Sequence, residues 1–218
     1  MEVFSTIVRF FQQGGAFMYP IVIVLALGLA IAIERWFYLT AAKSRNAAIW
    51  DKITPHLRAG KFDNAAQITS KSKAAIATIL TYGLTRVRSA RRREDVEKAM
   101  EESLMEVMPQ LEKRTHYLAT FANIATLLGL LGTIIGLIRA FTAVSNANPA
   151  EKADLLSASI SVAMNTTAFG LMVAIPLLLV HTLLQTKTTE IVDSLEMASV
   201  KFLNSLTEHS GERSKTAG

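Results

Sequence analysis

Three long runs with almost no charge constrain this chain more than any other feature of it. They lie at Phe17–Ile33, at Tyr117–Phe141 and from about Leu156 to Leu184. A helix needs about 20 predominantly apolar residues to cross a bilayer core, and these windows suit that length. The runs are continuous, without the alternating short segments of a membrane β-barrel. A mean hydropathy of only +0.31 over 218 residues therefore hides two populations, apolar spans and a charged remainder. The pattern predicts an all-α membrane protein with three transmembrane helices, at 17–40, 117–141 and 156–184.

The charged remainder sets the expected orientation. Residues 41–116 carry 15 Lys and Arg against 9 Asp and Glu, whereas 142–155 carry only Lys152, Glu151 and Asp154. Lys43, Arg45, Lys52, Lys113 and Arg114 lie close to span ends, where the positive-inside rule operates. The N-terminal segment 1–16 is expected outside, 41–116 in the cytoplasm and the 142–155 connection in the periplasm. Residues 185–209 and the polar tail 210–218 return to the cytoplasm. The first span starts late, follows little positive charge and ends in Glu34-Arg35-Trp36, so it reads as an uncleaved anchor, not a signal peptide. Glu34 and Arg35 are expected as anchors at the cytoplasmic interface, able to snorkel. The net charge of +5 then reflects topology and attraction to anionic lipids, and no nucleic acid partner is implied.

Outside the membrane, Pro55, Gly60 and Ser70–Lys73 are expected to divide residues 42–90 into short helices. Val96, Met100, Leu104, Val107, Leu111 and Leu118 continue one helical face toward the second span, with a local kink expected at Pro109. Leu184, Ile191, Leu195, Ala198, Phe202 and Leu206 form a matching stripe after the third. The second and third helices should therefore extend into a cytoplasmic helical bundle, ending in a disordered tail at 210–218.

Within the second span, Ala119, Ala122, Thr126, Gly129, Thr133, Gly136 and Ala140 recur at steps of 3 and 4, which is helical periodicity. The third span repeats the device with Ser159, Ala163, Thr167, Gly170 and Ala174. Asn165 and Thr166 add polar groups beside it, and Pro176 follows. Apolar burial does not drive helices together in lipid; small residues do so by admitting close backbone approach, with hydroxyls free to bond across. Gly129, Gly132, Gly136, Ala163, Gly170 and Pro176 are accordingly packing candidates. The first span has no such stripe and reads as an outer, lipid-facing helix. Two small-faced helices and one greasy one predict a homo-oligomer whose inner wall comes from the second and third spans.

The chemistry on offer is sparse. His56, His116, His181 and His209 stand singly, there is no cysteine, and no GxSxG, HExxH or P-loop pattern occurs. No enzyme, metal site or cofactor is expected. What remains at mid-span is oxygen: Thr126, Thr133, Asn165, Thr166 and Thr167. These groups can line an ion path, or simply bond within their own helix, as Thr often does to its i−4 carbonyl. No inverted repeat of the kind found in many solute transporters is evident.

GLLGTIIGLIRAF in the second span and AMNTTAFGLMVAIPLLL in the third resemble the two signature regions of the MotA/TolQ/ExbB proton-channel family. Tyr19-Pro20, Glu34-Arg35 and the stretch FDNAAQITSKSKAAIATILTYGL are similar as well. Size and span count favour the ExbB/TolQ branch. The resemblance implies an inner-membrane stator, generally a pentamer ringing a dimer of an ExbD/TolR-like single-span protein. An intramembrane Asp on that partner would carry the ion and couple proton-motive force to mechanical work. The resemblance further implies that Thr133 and Thr167 face this Asp; Asn165 and Thr166, polar groups beside Thr167 in the same span, are expected in the same ion pathway. One position departs from it: Val162 stands where ExbB and TolQ typically carry Glu. The transport carboxylate must then come from the partner, and a sodium-driven version or a structural scaffold without channel activity stay open as alternatives.

Overall fold

The computed structural model describes residues 14–87, 89 and 92–216, and six helices account for nearly all of them. The expectation for the N-terminal segment falls mostly outside these residues. Helix α1 (Met18–Arg58) is 41 residues long and carries Pro55 inside it, so the break expected at that proline does not occur. Glycine ends the helix instead. Gly60 adopts φ +66°, its N–H donates to the Leu57 carbonyl at 3.1 Å, and the Lys61 N–H donates to His56 at 2.9 Å. These two reverse bonds satisfy carbonyls that the helix end would otherwise leave open.

Two short helices follow, α2 (Phe62–Ser70) and α3 (Ala75–Val87). Helix α4 (Arg93–Glu112) begins with Glu94 and Asp95, charges that suit the positive end of a helix dipole. The Asp95 carboxylate also accepts the Arg92 N–H at 3.3 Å. Pro109 is carried within α4, and the helix ends three residues further on, just before Arg114. There Arg114 takes a left-handed φ of 66°, a conformation that costs a non-glycine residue about 1 kcal/mol. Its guanidinium is held at 2.9 Å by Glu34.

Helices α5 (Thr115–Asn146) and α6 (Lys152–Thr216) complete the chain. Helix α6 continues into the stretch expected to be disordered and stays helical to Thr216. The apolar parts of α1, α5 and α6 are each long enough to cross a membrane.

The chain divides into two units. The first comprises the residues up to Arg35 and Arg114–Leu183. In its three apolar windows only 28%, 22% and 28% of residues are buried, so most of their surface is left for lipid or another chain. Met18, Ile21, Val24, Ala32 and Arg35 are buried along the part of α1 that belongs to this unit.

The second unit comprises Trp36–Lys113 and the chain from Leu184 onward. It has a conventional core of large side chains, among them Ile53, Leu80, Met100, Leu111, Ile191, Leu195 and Phe202. Phe62 meets Phe202 edge-on at 6.3 Å. The stripes expected on α4 and on the last part of α6 supply much of this core, with Leu104 and Leu206 only half-buried.

Candidate functional site

The centre of the first unit is a contact between α5 and α6 made without side chains. A Cβ added to Gly170 would lie 2.6 Å from the Ala125 carbonyl oxygen and 3.1 Å from the Gly129 Cα. A Cβ on Gly129 would lie 3.2 Å from the Thr167 Cα and 3.3 Å from the Gly170 Cα. Further along, Gly136 abuts Ala163, where an added methyl would come within 2.8 Å of the Ala163 Cβ. Gly132 packs on the Thr166 methyl group and on Phe17. Of the packing candidates, Pro176 alone does not join this contact: it is exposed, within an uninterrupted α6.

The buried face of α5 overlaps the stripe read in the sequence at Ala122, Gly129 and Ala140 and departs from it at Thr126. Ala122, Ala125, Gly129, Gly132 and Ala140 are buried, while Thr126 is exposed and its hydroxyl donates to the Ala122 carbonyl of its own helix at 3.1 Å. Ala125, which sequence reasoning passed over, supplies the carbonyl against Gly170. Its signal was present as a second run of small residues, Ala122, Ala125, Gly129 and Gly132, which shares Ala122 and Gly129 with the first and steps one position away at Ala125 and Gly132.

This packing brings Thr133 and Thr167 together at the edge of the close contact. Their hydroxyls touch each other, and each also reaches the Gly129 carbonyl, Thr133 at 3.2 Å and Thr167 at 2.9 Å. The Ala163 carbonyl lies 3.5 Å from the Thr133 hydroxyl. Both threonines are half-buried. Two hydroxyls and two carbonyls thus converge on one point of the helix seam, with no titratable side chain among them. Such a cluster can solvate a proton carrier or a small cation, since each hydroxyl both donates and accepts.

Thr166 is engaged differently. It is only 2% exposed, and its hydroxyl faces the Gly14 carbonyl at 2.6 Å and the Val162 carbonyl at 3.0 Å. That bond ties α6 to the turn preceding α1, a role sequence reasoning did not anticipate for the Gly14-Gly15 pair. Asn165 is half-buried.

Val162 lines a separate cavity of about 120 Å³ with Gly132, Ser159, Thr166 and Arg139, and no acidic residue among the described ones lines it. Of the expected interface anchors, Glu34 pairs with Arg114. Arg35 is 2% exposed, enclosed by protein and not extended outward.

The sequence that builds these features matches a known family pattern. That of the MotA/TolQ/ExbB proton channel family covers residues 71–197, which include both threonines and the whole glycine contact. The chain belongs to this family. An ExbB homologue of the biopolymer transport kind from Methanothermobacter thermautotrophicus is 28% identical over 196 residues, 89% of this chain and 68% of the relative. The biopolymer transport protein exbB1 of Vibrio cholerae is 28% identical over 172 residues, 76% of this chain and 73% of its own. The Tol-Pal system protein TolQ of Haemophilus influenzae is 31% identical over 110 residues, 50% of this chain and 46% of the relative. The chain is thus a multi-pass membrane protein and a proton-channel motor subunit of the ExbB/TolQ kind.

Proposed function

We propose that this chain forms the ring of an inner-membrane stator and couples proton-motive force to mechanical work on a single-span partner. The ring is a homopentamer around an ExbD/TolR-like protein whose intramembrane Asp takes up and releases the ion. The Thr133–Thr167 hydroxyl pair carries this reading. A charge brought unsolvated into an apolar interior is prohibitively costly. Paired hydroxyls beside backbone carbonyls lower that cost at the point where a partner carboxylate would pass. Asn165 flanks the pair in sequence and belongs to the same wall. With Val162 in place of an acid, the protonatable group is supplied in trans.

Replacing Thr by Val keeps the shape and deletes the hydroxyl. An interhelical hydrogen bond in a membrane contributes about 0.6 kcal/mol on average and at most about 1.7, so Thr133→Val and Thr167→Val should leave assembly intact on native gels. Ion flux in vesicles containing the chain and its single-span partner should nonetheless fall strongly in both. Thr→Ser should retain more flux than Thr→Val, and Val162→Ala should change little. Normal flux in the double variant, Thr133→Val with Thr167→Val, would make the hydroxyls packing groups and end this mechanism.

The orientation rests on the charge asymmetry of the loops. The N-terminus is periplasmic, and the 41–116 region and the C-terminus are cytoplasmic. A reporter after Gly218 should behave as cytoplasmic and one inserted near Asn148 as periplasmic. Labelling of a Lys73→Cys variant by a membrane-impermeant thiol reagent added from the periplasm would overturn this orientation.

A further inference from the structure

A polar cavity in the second unit is unrelated to the threonine pair. It lies where α3 begins, beside α1 and α4, and has a volume of about 130 Å³. Helix α3 lacks a side-chain cap of its own, because Ala74 precedes its first residue and alanine has no acceptor to offer the free N–H groups of the first turn. Asn46 of α1 supplies one from a distance in sequence, its Oδ1 accepting the Ile76 N–H at 3.3 Å. This bond fixes which way the amide points.

The other end of the amide is then the unexplained part. Asn46 is 4% exposed, and its Nδ2 is buried with no hydrogen-bond partner among the described residues. An unsatisfied buried donor costs about 1–3 kcal/mol, so the position calls for an acceptor. The cavity that Asn46 lines is also lined by Ala75 in the first turn of α3, by Arg45 and Lys73, and by Glu106 and Gln110. Two cations stand against one carboxylate, and the helix N-terminus adds its own partial positive charge.

One water needs roughly 10–15 Å³ of such space; this cavity holds a tetrahedral oxyanion with waters to spare. We propose that it is a binding site for a phosphate group. Asn46 Nδ2 and the Ala75 N–H donate to the phosphate oxygens, and Lys73 and Arg45 neutralise their charge. Tyr38 and Ala42 also line the cavity, directly after the first apolar run. Both a lipid headgroup and free phosphate are therefore within the chemistry of the site.

The test uses the full chain, stripped of lipid in detergent and followed by hydrogen exchange of the first turn of α3. Short-chain phosphatidylglycerol, short-chain diacylglycerol and inorganic phosphate are the probes. Exchange should slow about tenfold with a phosphate-bearing probe, the worth of one hydrogen bond to a charged group, and not with diacylglycerol. Slowing by phosphatidylglycerol alone assigns the site to a lipid headgroup, and slowing by inorganic phosphate assigns it to the free ion. Asn46→Asp keeps the acceptor for Ile76 and replaces the donor by a negative oxygen, so it should abolish the slowing. Lys73→Gln, on an exposed residue that cannot unfold the unit, should weaken it. The proposal fails if no phosphate-bearing probe slows exchange, or if the slowing persists in both variants.

Discussion

At the heart of the first unit, α5 and α6 meet through Cα atoms and carbonyl oxygens, at Gly129, Gly170 and Ala125. At the heart of the second, Ile79, Leu80, Met100 and Phe202 fill the space with large side chains. Even the glycine there, Gly83, is covered by the side chains of Met100 and Phe202 and not by backbone. The contrast follows from the solvent each unit is built for. In water, burying apolar side chains is the main driving force, worth about 25 cal/mol per Å². In lipid that force vanishes between helices, so leucines can stay outside while contact is made by the smallest residues. Leu127, Ile134, Ile138, Leu171 and Leu179 are accordingly exposed on the first unit.

The sharpest way to break this comparison is to add bulk where no side chain fits. Gly170→Leu should prevent folding, because its Cβ alone would lie 2.6 Å from a backbone oxygen that cannot rotate away. Size-exclusion chromatography in mild detergent should show aggregate, while Leu27→Ile on the exposed face of α1 should elute as the parent does. An intact Gly170→Leu particle would mean that the seam is not a structural contact. In the second unit the opposite change matters. Phe202→Ala removes a fully buried ring and should destabilise that unit by about 3–5 kcal/mol, read as earlier hydrogen exchange in α3 and α4. Equal loss of protection along α5 would show that the two units do not respond separately.

The smallest effect should come from the surface of the second unit. Lys43 and Glu190 pair at 2.7 Å with both side chains about half exposed. The hydrogen bond from Lys43, aided by its charge, holds the Glu190 carboxyl below its ordinary value of 4.5. A lowered folded-state value stabilises the charged form, so the contribution is present above 4.5 and is lost as pH falls through the lowered value. Glu190→Gln should therefore differ slightly from the parent in thermal midpoint at neutral pH and converge with it in acid. A difference that grew on acidification would contradict the pairing.

Much of this was legible in the sequence because composition alone separates the two solvents. The three spans and the stripes on α4 and α6 follow from period and residue size, which also put Thr133 and Thr167 on small-residue stripes; their shared role was implied only by the family resemblance. What escaped was phase and termination. Small residues occupy two adjacent tracks of α5, and only the partner helix decides that Ala125 and Gly132, not Thr126, face inward. Prolines 55 and 109 mark helix ends poorly here, since each sits near a terminus that Gly60 and the left-handed Arg114 set. The burial of Arg35 and the capping of α3 by Asn46 depend on residues distant in the chain, so no local pattern announces them.

The Gly129–Gly170 contact also has a mechanical meaning. Side chains that interdigitate can shift rotamers under load and absorb some of it; two backbones in direct contact have no such slack. A wall built this way is stiff at the level of the threonine pair. Under the proposed function, work released there would be passed on to the single-span partner with little lost in deforming the wall.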